Sequence, residues 1–164
     1  MEGLLPLNVV LVEPELPPNT GNIARLCAVT RTRLHLIEPL AFKLGDKELQ
    51  RAGMDYWRHL EWRRWPHWTA FAAQLPPGAR LWFIECAGPR RYSDVQYAPG
   101  DYLVFGRETA GLPRRLLEAH RHHWVRIPMF HPATRSLNLS NSVALVLYEA
   151  LRQQGFAGEI QAGP

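Results

Sequence analysis

Five short apolar runs punctuate the chain at Leu7–Val12, Arg33–Ile37, Leu81–Glu85, Tyr102–Phe105 and Trp124–Ile127, with helical patterns between them. Each is rich in branched or aromatic side chains and is bounded by Gly, Pro or polar residues, as buried strands are. A sheet of such strands needs cover on both faces. Strands that alternate with helices supply it by crossing over, which makes the sheet parallel. The pattern therefore predicts an α/β fold with a parallel sheet and helices on both sides. Helices are expected from Gly21 to about Thr30, with Asn19 or Thr20 as cap, and over Asp46–Ala52, Trp68–Gln74 and Pro113–His120. A last one carries Leu139, Val143, Val146, Leu147, Ala150 and Leu151 on a single face. Turns are marked by Pro76-Pro77-Gly78 and Pro99-Gly100-Asp101.

With 164 residues and an apolar fraction of 46%, the chain is long and apolar enough for one well-filled domain. We expect that domain over residues 1–154, followed by a poorly ordered tail over 155–164. No charged-then-apolar leader and no bilayer-length apolar run is evident, so a cytoplasmic protein without membrane contact is expected. Cys27 and Cys86 then read as reduced thiols packed as small hydrophobes. A formal net charge of +4, with seven histidines in reserve, admits a polyanionic partner without requiring one. His120, His122 and His123 lack nearby carboxylate or thiol partners, and a solvated helix end is a better reading of them than a metal site.

Ligands of parallel sheets bind outside the carboxyl ends of the strands, and three segments fall on that rim. The first is Pro17-Pro18-Asn19-Thr20-Gly21-Asn22-Ile23-Ala24-Arg25, where a stiffened entry leads into a helix that carries Arg25. The second is Phe105-Gly106-Arg107-Glu108-Thr109-Ala110-Gly111-Leu112-Pro113, where Gly106 would let a ligand lie against the backbone. The third runs from Ile127-Pro128-Met129 to Arg135-Ser136-Leu137-Asn138-Leu139-Ser140-Asn141-Ser142. A helix needs one small polar residue as its cap, and this junction holds several, which points to a site. Neither the dinucleotide fingerprint nor the phosphate-binding loop is present.

In this order and spacing the three segments resemble the SPOUT (SpoU–TrmD) class of RNA methyltransferases. The resemblance is strongest to the small single-domain family that 2′-O-methylates the wobble nucleotide, a cytidine or modified uridine, of certain tRNAs. It spans Asn8 to Ala150 and includes Arg51-Ala52-Gly53-Met54-Asp55-Tyr56-Trp57. It implies a C-terminal deep trefoil knot, a homodimer, and S-adenosyl-L-methionine as cofactor, with contacts from Ile84, Gly106, Ile127, Ser136 and Leu137. It assigns catalysis to Arg25, with Asn19, Glu108 and Asn138 around it, and implies that the first segment of one subunit approaches the cofactor of the other.

A ribose 2′-hydroxyl attacks a sulfonium methyl in line once its proton is shared or removed. Arginine stays protonated in proteins, so Arg25 is expected to orient the ribose and stabilise developing negative charge, not to act as base. Basic and aromatic residues alternate through Tyr56–Trp65. Trp57 and Trp62 read as inward-packing residues of a further strand, and Arg63 and Arg64 as phosphate contacts for an anticodon loop. A 2′-O-methyltransferase acting on another tRNA or rRNA nucleotide, a small-molecule methyltransferase, and a non-catalytic RNA-binding module stay open at this point.

Overall fold

The computed structural model describes residues 4–45, 47, 51 and 54–161. In chain order these form β1 (Asn8–Val12), α1 (Pro17–Thr30), β2 (Arg33–Ile37), a 3-10 turn (Met54–His59), β3 (Trp62–Trp65), α2 (Trp68–Ala73) and β4 (Leu81–Ile84). Then follow β5 (Arg90–Arg91), β6 (Tyr102–Phe105), α3 (Arg114–Glu118), a 3-10 turn (Arg121–His123), β7 (Trp124–Arg126) and α4 (Leu139–Gln153). One sheet takes the strands in the order β3-β2-β1-β6-β4-β7-β5, and every ladder in it is parallel. All five expected strands are present to within a residue at either end. The expected helix over Asp46–Ala52 lies mostly outside the described residues.

Alternation along the strands divides the core into two layers. Val9 and Leu11 of β1 join Leu34, Leu103 and Phe105 in a layer with Ile23 of α1 and Val143, Val146 and Leu147 of α4. Val10 and Val12 face the other way, with Phe83 and Val104, against Phe71 of α2 and Leu116 and Leu117 of α3. Trp57 lies in the 3-10 turn and not in a strand. It meets Trp62 of β3 edge to face with ring centroids 4.8 Å apart, and both pack against the first layer, inward as expected. Arg64 pairs with Glu38, and the Arg63 guanidinium lies 5.8 Å from the Trp65 ring centroid.

Four local expectations are corrected. Helix α1 starts at Pro17, not Gly21, because prolines fit the first helical turn, where a missing N–H costs nothing. Asn19 and Thr20 are therefore buried within that turn and do not cap it. Cys86 is exposed, its Sγ donating to the Arg135 carbonyl at 3.2 Å, whereas Cys27 is buried as expected. His120 is not a solvated helix end: it stacks on Phe83 at 4.6 Å, and burial pushes its pKa down. The Phe156 N–H returns to the Leu151 carbonyl at 3.0 Å and closes α4.

One buried polar relay crosses the sheet. Trp65 Nε1 can only donate, and it donates to His35 Nδ1 at 3.2 Å. His35 Nε2 therefore carries the proton and donates to Asn8 Oδ1 at 3.0 Å. Asn8 in turn donates to the Gly100 carbonyl at 3.2 Å. Burial, reinforced by Arg33 and Arg63, lowers the His35 pKa to about 4, so the folded protein holds this imidazole neutral. The unfolded chain takes up a proton near the ordinary value of 6.5. The His35 contribution to stability is therefore fully present above that value and is lost as pH falls towards about 4, amounting to about 3 kcal/mol. Urea unfolding across this range should show that loss in the wild type and a correspondingly flatter profile in His35→Gln.

Candidate active site

The carboxyl ends of β1, β6 and β7 open onto one rim, where hydrogen bonds join three distant loops. The Glu108 carboxylate accepts the backbone N–H groups of Glu15 at 2.8 Å and Leu16 at 3.0 Å, and Asn19 Nδ2 at 3.4 Å. Glu108 thus occupies the positive end of α1, where no local side chain caps the helix. The tie is reciprocal: Glu15 accepts from the Thr109 N–H at 3.0 Å and hydroxyl at 2.7 Å, and these bonds lower its pKa. Asn19 Oδ1 then accepts from Asn138 Nδ2 at 3.0 Å. Asn138 caps α4 through Oδ1, which accepts from the Ser140 and Asn141 N–H groups at 2.9 and 3.3 Å. Asn19, Glu108 and Asn138 therefore form one cluster, as their motifs suggested.

The residues expected to hold a cofactor flank this cluster on three neighbouring strands. Ile84 ends β4, Gly106 follows β6, Ile127 follows β7, and Ser136 and Leu137 lead into α4. Ile127 is buried, Ile84 half-buried, and Ser136 and Leu137 exposed. The Cys86–Arg135 bond ties the last two to the end of β4. Among the described residues, the side chains of Ser136 and Asn141 have no hydrogen-bond partner.

Gly106 serves a purpose different from the one its position suggested. A Cβ there would lie 2.2 Å from backbone atoms of Gly111 and Leu112, so the space beside it holds the loop itself and not a ligand. The loop doubles back through paired Arg107 and Gly111 hydrogen bonds of 2.9 and 3.1 Å, with Gly111 at φ 65°.

Arg25 stands apart from the cluster. It lies six residues beyond Asn19 on α1, about two-thirds of a turn around the helix and ~9 Å along it. Its guanidinium is exposed, 4.9 Å from the Tyr56 ring centroid. Residue-by-residue reading missed Glu85, a half-buried carboxylate at the end of β4. Its Oε1 accepts from the Cys86 N–H at 3.1 Å, and burial raises its pKa. A carboxylate closing an apolar strand was the available signal. Among the described residues, no group of three or more His, Cys, Asp or Glu side chains is placed to hold a metal.

Residues 6–148 match the SpoU rRNA methylase family. The chain is 53% identical over 153 residues to a Burkholderia ambifaria protein named tRNA (cytidine(34)-2′-O)-methyltransferase, over 92% of this chain and 97% of that one. A solved structure concerned with the 2-OH methylation of C/U34 on tRNA superposes with a TM-score of 0.88 at 41% identity, covering 94% of each chain. A SpoU methyltransferase from Streptomyces viridochromogenes, in complex with the cofactor AdoMet, superposes with a TM-score of 0.79 at 26% identity. That overlap covers 95% of this chain and 63% of the other.

The close approach at Gly106 makes a direct test of the loop. Gly106→Ala forces two backbone segments apart and should destabilise the protein by about 1–3 kcal/mol, read as a lower urea midpoint.

Proposed function

The chain belongs to the SpoU methylase family, and from that premise we propose how its rim works. The protein is an enzyme that transfers a methyl group to the ribose 2′-hydroxyl of the wobble nucleotide of tRNA. One observation carries the reading: three motif loops meet in a single hydrogen-bonded cluster, in a chain 53% identical almost end to end to such an enzyme.

The proposed methyl donor is S-adenosyl-L-methionine, as in the AdoMet complex of the family. The rim suits it: Ile84 and Ile127 offer apolar walls, Ser136 and Leu137 lie on an exposed segment, and Gly106 lets the loop after β6 fold back beside them. When bound, the cofactor supplies a sulfonium methyl open to attack. The chain's own residues orient the acceptor. Arg25 holds the ribose and offsets negative charge on its oxygen, while the proton passes to water or a substrate phosphate. Asn19, Glu108 and Asn138 fix the positions of the three loops that frame the reaction.

We further propose that residues 1–154 act as one methyltransferase domain, followed by the tail over 155–164, and work as a homodimer in the cytoplasm on the tRNA anticodon loop. Arg25 is remote from the cluster of its own chain, and α1 and α4 expose Val29, Leu145 and Tyr148. A partner covering that surface would bring its cluster to Arg25. The knot implied by the resemblance is supported by β7 lying between β4 and β5, and by α4 returning to pack on α1.

Incubation with total tRNA and labelled S-adenosyl-L-methionine, followed by nuclease digestion and mass spectrometry, should place the methyl group on the wobble ribose. Label elsewhere, or none, would overturn the assignment. Arg25→Ala should lower the single-turnover rate on the order of a hundredfold at saturating tRNA, with calorimetric cofactor affinity kept. Leu145→Glu combined with Tyr148→Glu should halve the mass seen by sedimentation and abolish turnover.

A further inference from the structure

A cavity of about 150 Å³ opens on the rim beyond the ends of β1 and β2, lined by Glu13, Glu15, Pro39, Leu40, Ala41 and Arg107. It adjoins the cluster directly: Arg107 precedes Glu108, and Glu15 donates its N–H to the Glu108 carboxylate. Nothing in the cofactor set lines it. Its volume is about that of five water molecules in the liquid and well below the ~300 Å³ at which drug-sized pockets begin. That is room for one planar ring, with the rest of a nucleotide lying outside.

Its chemistry is polarised. Pro39, Leu40 and Ala41 give apolar walls. Glu15 spends one oxygen, Oε1, on Thr109, and the Glu13 carboxylate accepts no hydrogen bond among the described residues. Arg107 makes a single long hydrogen bond, Nε to the Gly111 carbonyl at 3.5 Å, and its terminal nitrogens have no hydrogen-bond partner among the described residues. Glu13 is also held in an uncommon conformation. Its φ is 56°, disfavoured for any residue with a Cβ, and its N–H is pinned to the Ile37 carbonyl at 2.9 Å. A strained backbone that presents a carboxylate to a cavity points to use of that carboxylate.

We propose that this cavity receives the wobble base turned out of its stack, and that Glu13 makes the site prefer cytosine over uracil. The inference rests on the wobble-ribose reading above. Enzymes acting on a nucleotide commonly read an extruded base by its pairing edge. Cytosine presents an exocyclic amino donor, which a carboxylate accepts. Uracil presents a carbonyl there, which faces Glu13 with like charge. Arg107 donates to the O2 carbonyl that both bases share, so it anchors the ring without choosing between them.

The test compares two tRNA transcripts identical except for cytidine or uridine at the wobble position, with kcat/KM measured for each and cofactor affinity measured by calorimetry. The wild type should favour cytidine. Glu13→Gln, whose amide can donate as well as accept, should erase about tenfold or more of that preference, and Arg107→Met should weaken both substrates alike. Glu13→Gly relieves the left-handed backbone, so it should fold at least as stably and also lose the preference. Equal loss on both substrates in the Glu13 variants, or a changed cofactor affinity, overturns the proposal. So does equal use of both transcripts by the wild type, which leaves the wobble-ribose reading intact. Absence of wobble methylation in total tRNA and on both transcripts overturns that reading and this one with it.

Discussion

The rim depends on one carboxylate that stabilises a helix from the far end of the chain. Prolines at positions 17 and 18 have no N–H, so the donors left unsatisfied near the start of α1 are those of Glu15 and Leu16. Glu108, more than ninety residues away, accepts both. Bonds to an ionised acceptor are worth about 1.5–3 kcal/mol each, and the helix dipole adds to them. Asn19 extends the tie, bonding Glu108 with its amide nitrogen and Asn138 with its oxygen. Since Asn138 also caps α4, the two long helices and the loop after β6 are locked in one geometry. No loop can shift without leaving a polar group short of a partner.

That geometry was legible only in part. The central strands showed themselves because residues such as Val9, Val10 and Leu11 are buried on alternating faces and so are all apolar. The continuous face of α4 and its cap at Asn138 were equally plain. The start of α1 was not: Pro17-Pro18 suits a first helical turn, but the cap is supplied by tertiary contact from Glu108, and the nearby Asn19 and Thr20 look like caps without being so. Strand β5 is Arg90-Arg91, exposed and without an apolar signal, and pairs only because β7 offers it an edge. At Gly106 the sequence marked the right residue but not its reason, since a glycine that admits a ligand and one that admits the chain itself look alike. The family and its reaction came from the ordered set of motifs, which no single pattern of periodicity carries.

The cluster at the heart of the rim has little left to offer a substrate. Asn138 Oδ1 already accepts from two N–H groups and from the Ser140 hydroxyl, and Glu108 has both oxygens engaged. Fully satisfied networks of this kind rigidify a site more than they react in it. The uncommitted polar groups lie around it: the exposed guanidinium of Arg25, the terminal nitrogens of Arg107, the Ser136 hydroxyl and the Asn141 amide. Each sits on a helix or loop that the cluster ties down, yet each is free to bond something new. The reaction proposed above needs placement more than covalent help and suits such a division, with an inert frame to set distances and a fringe of unspent donors around it. This also accounts for the basic character of the fringe. Among the described residues neither Arg25 nor Arg107 forms an ion pair with a carboxylate of its own chain, and Glu108 spends both oxygens on backbone N–H groups.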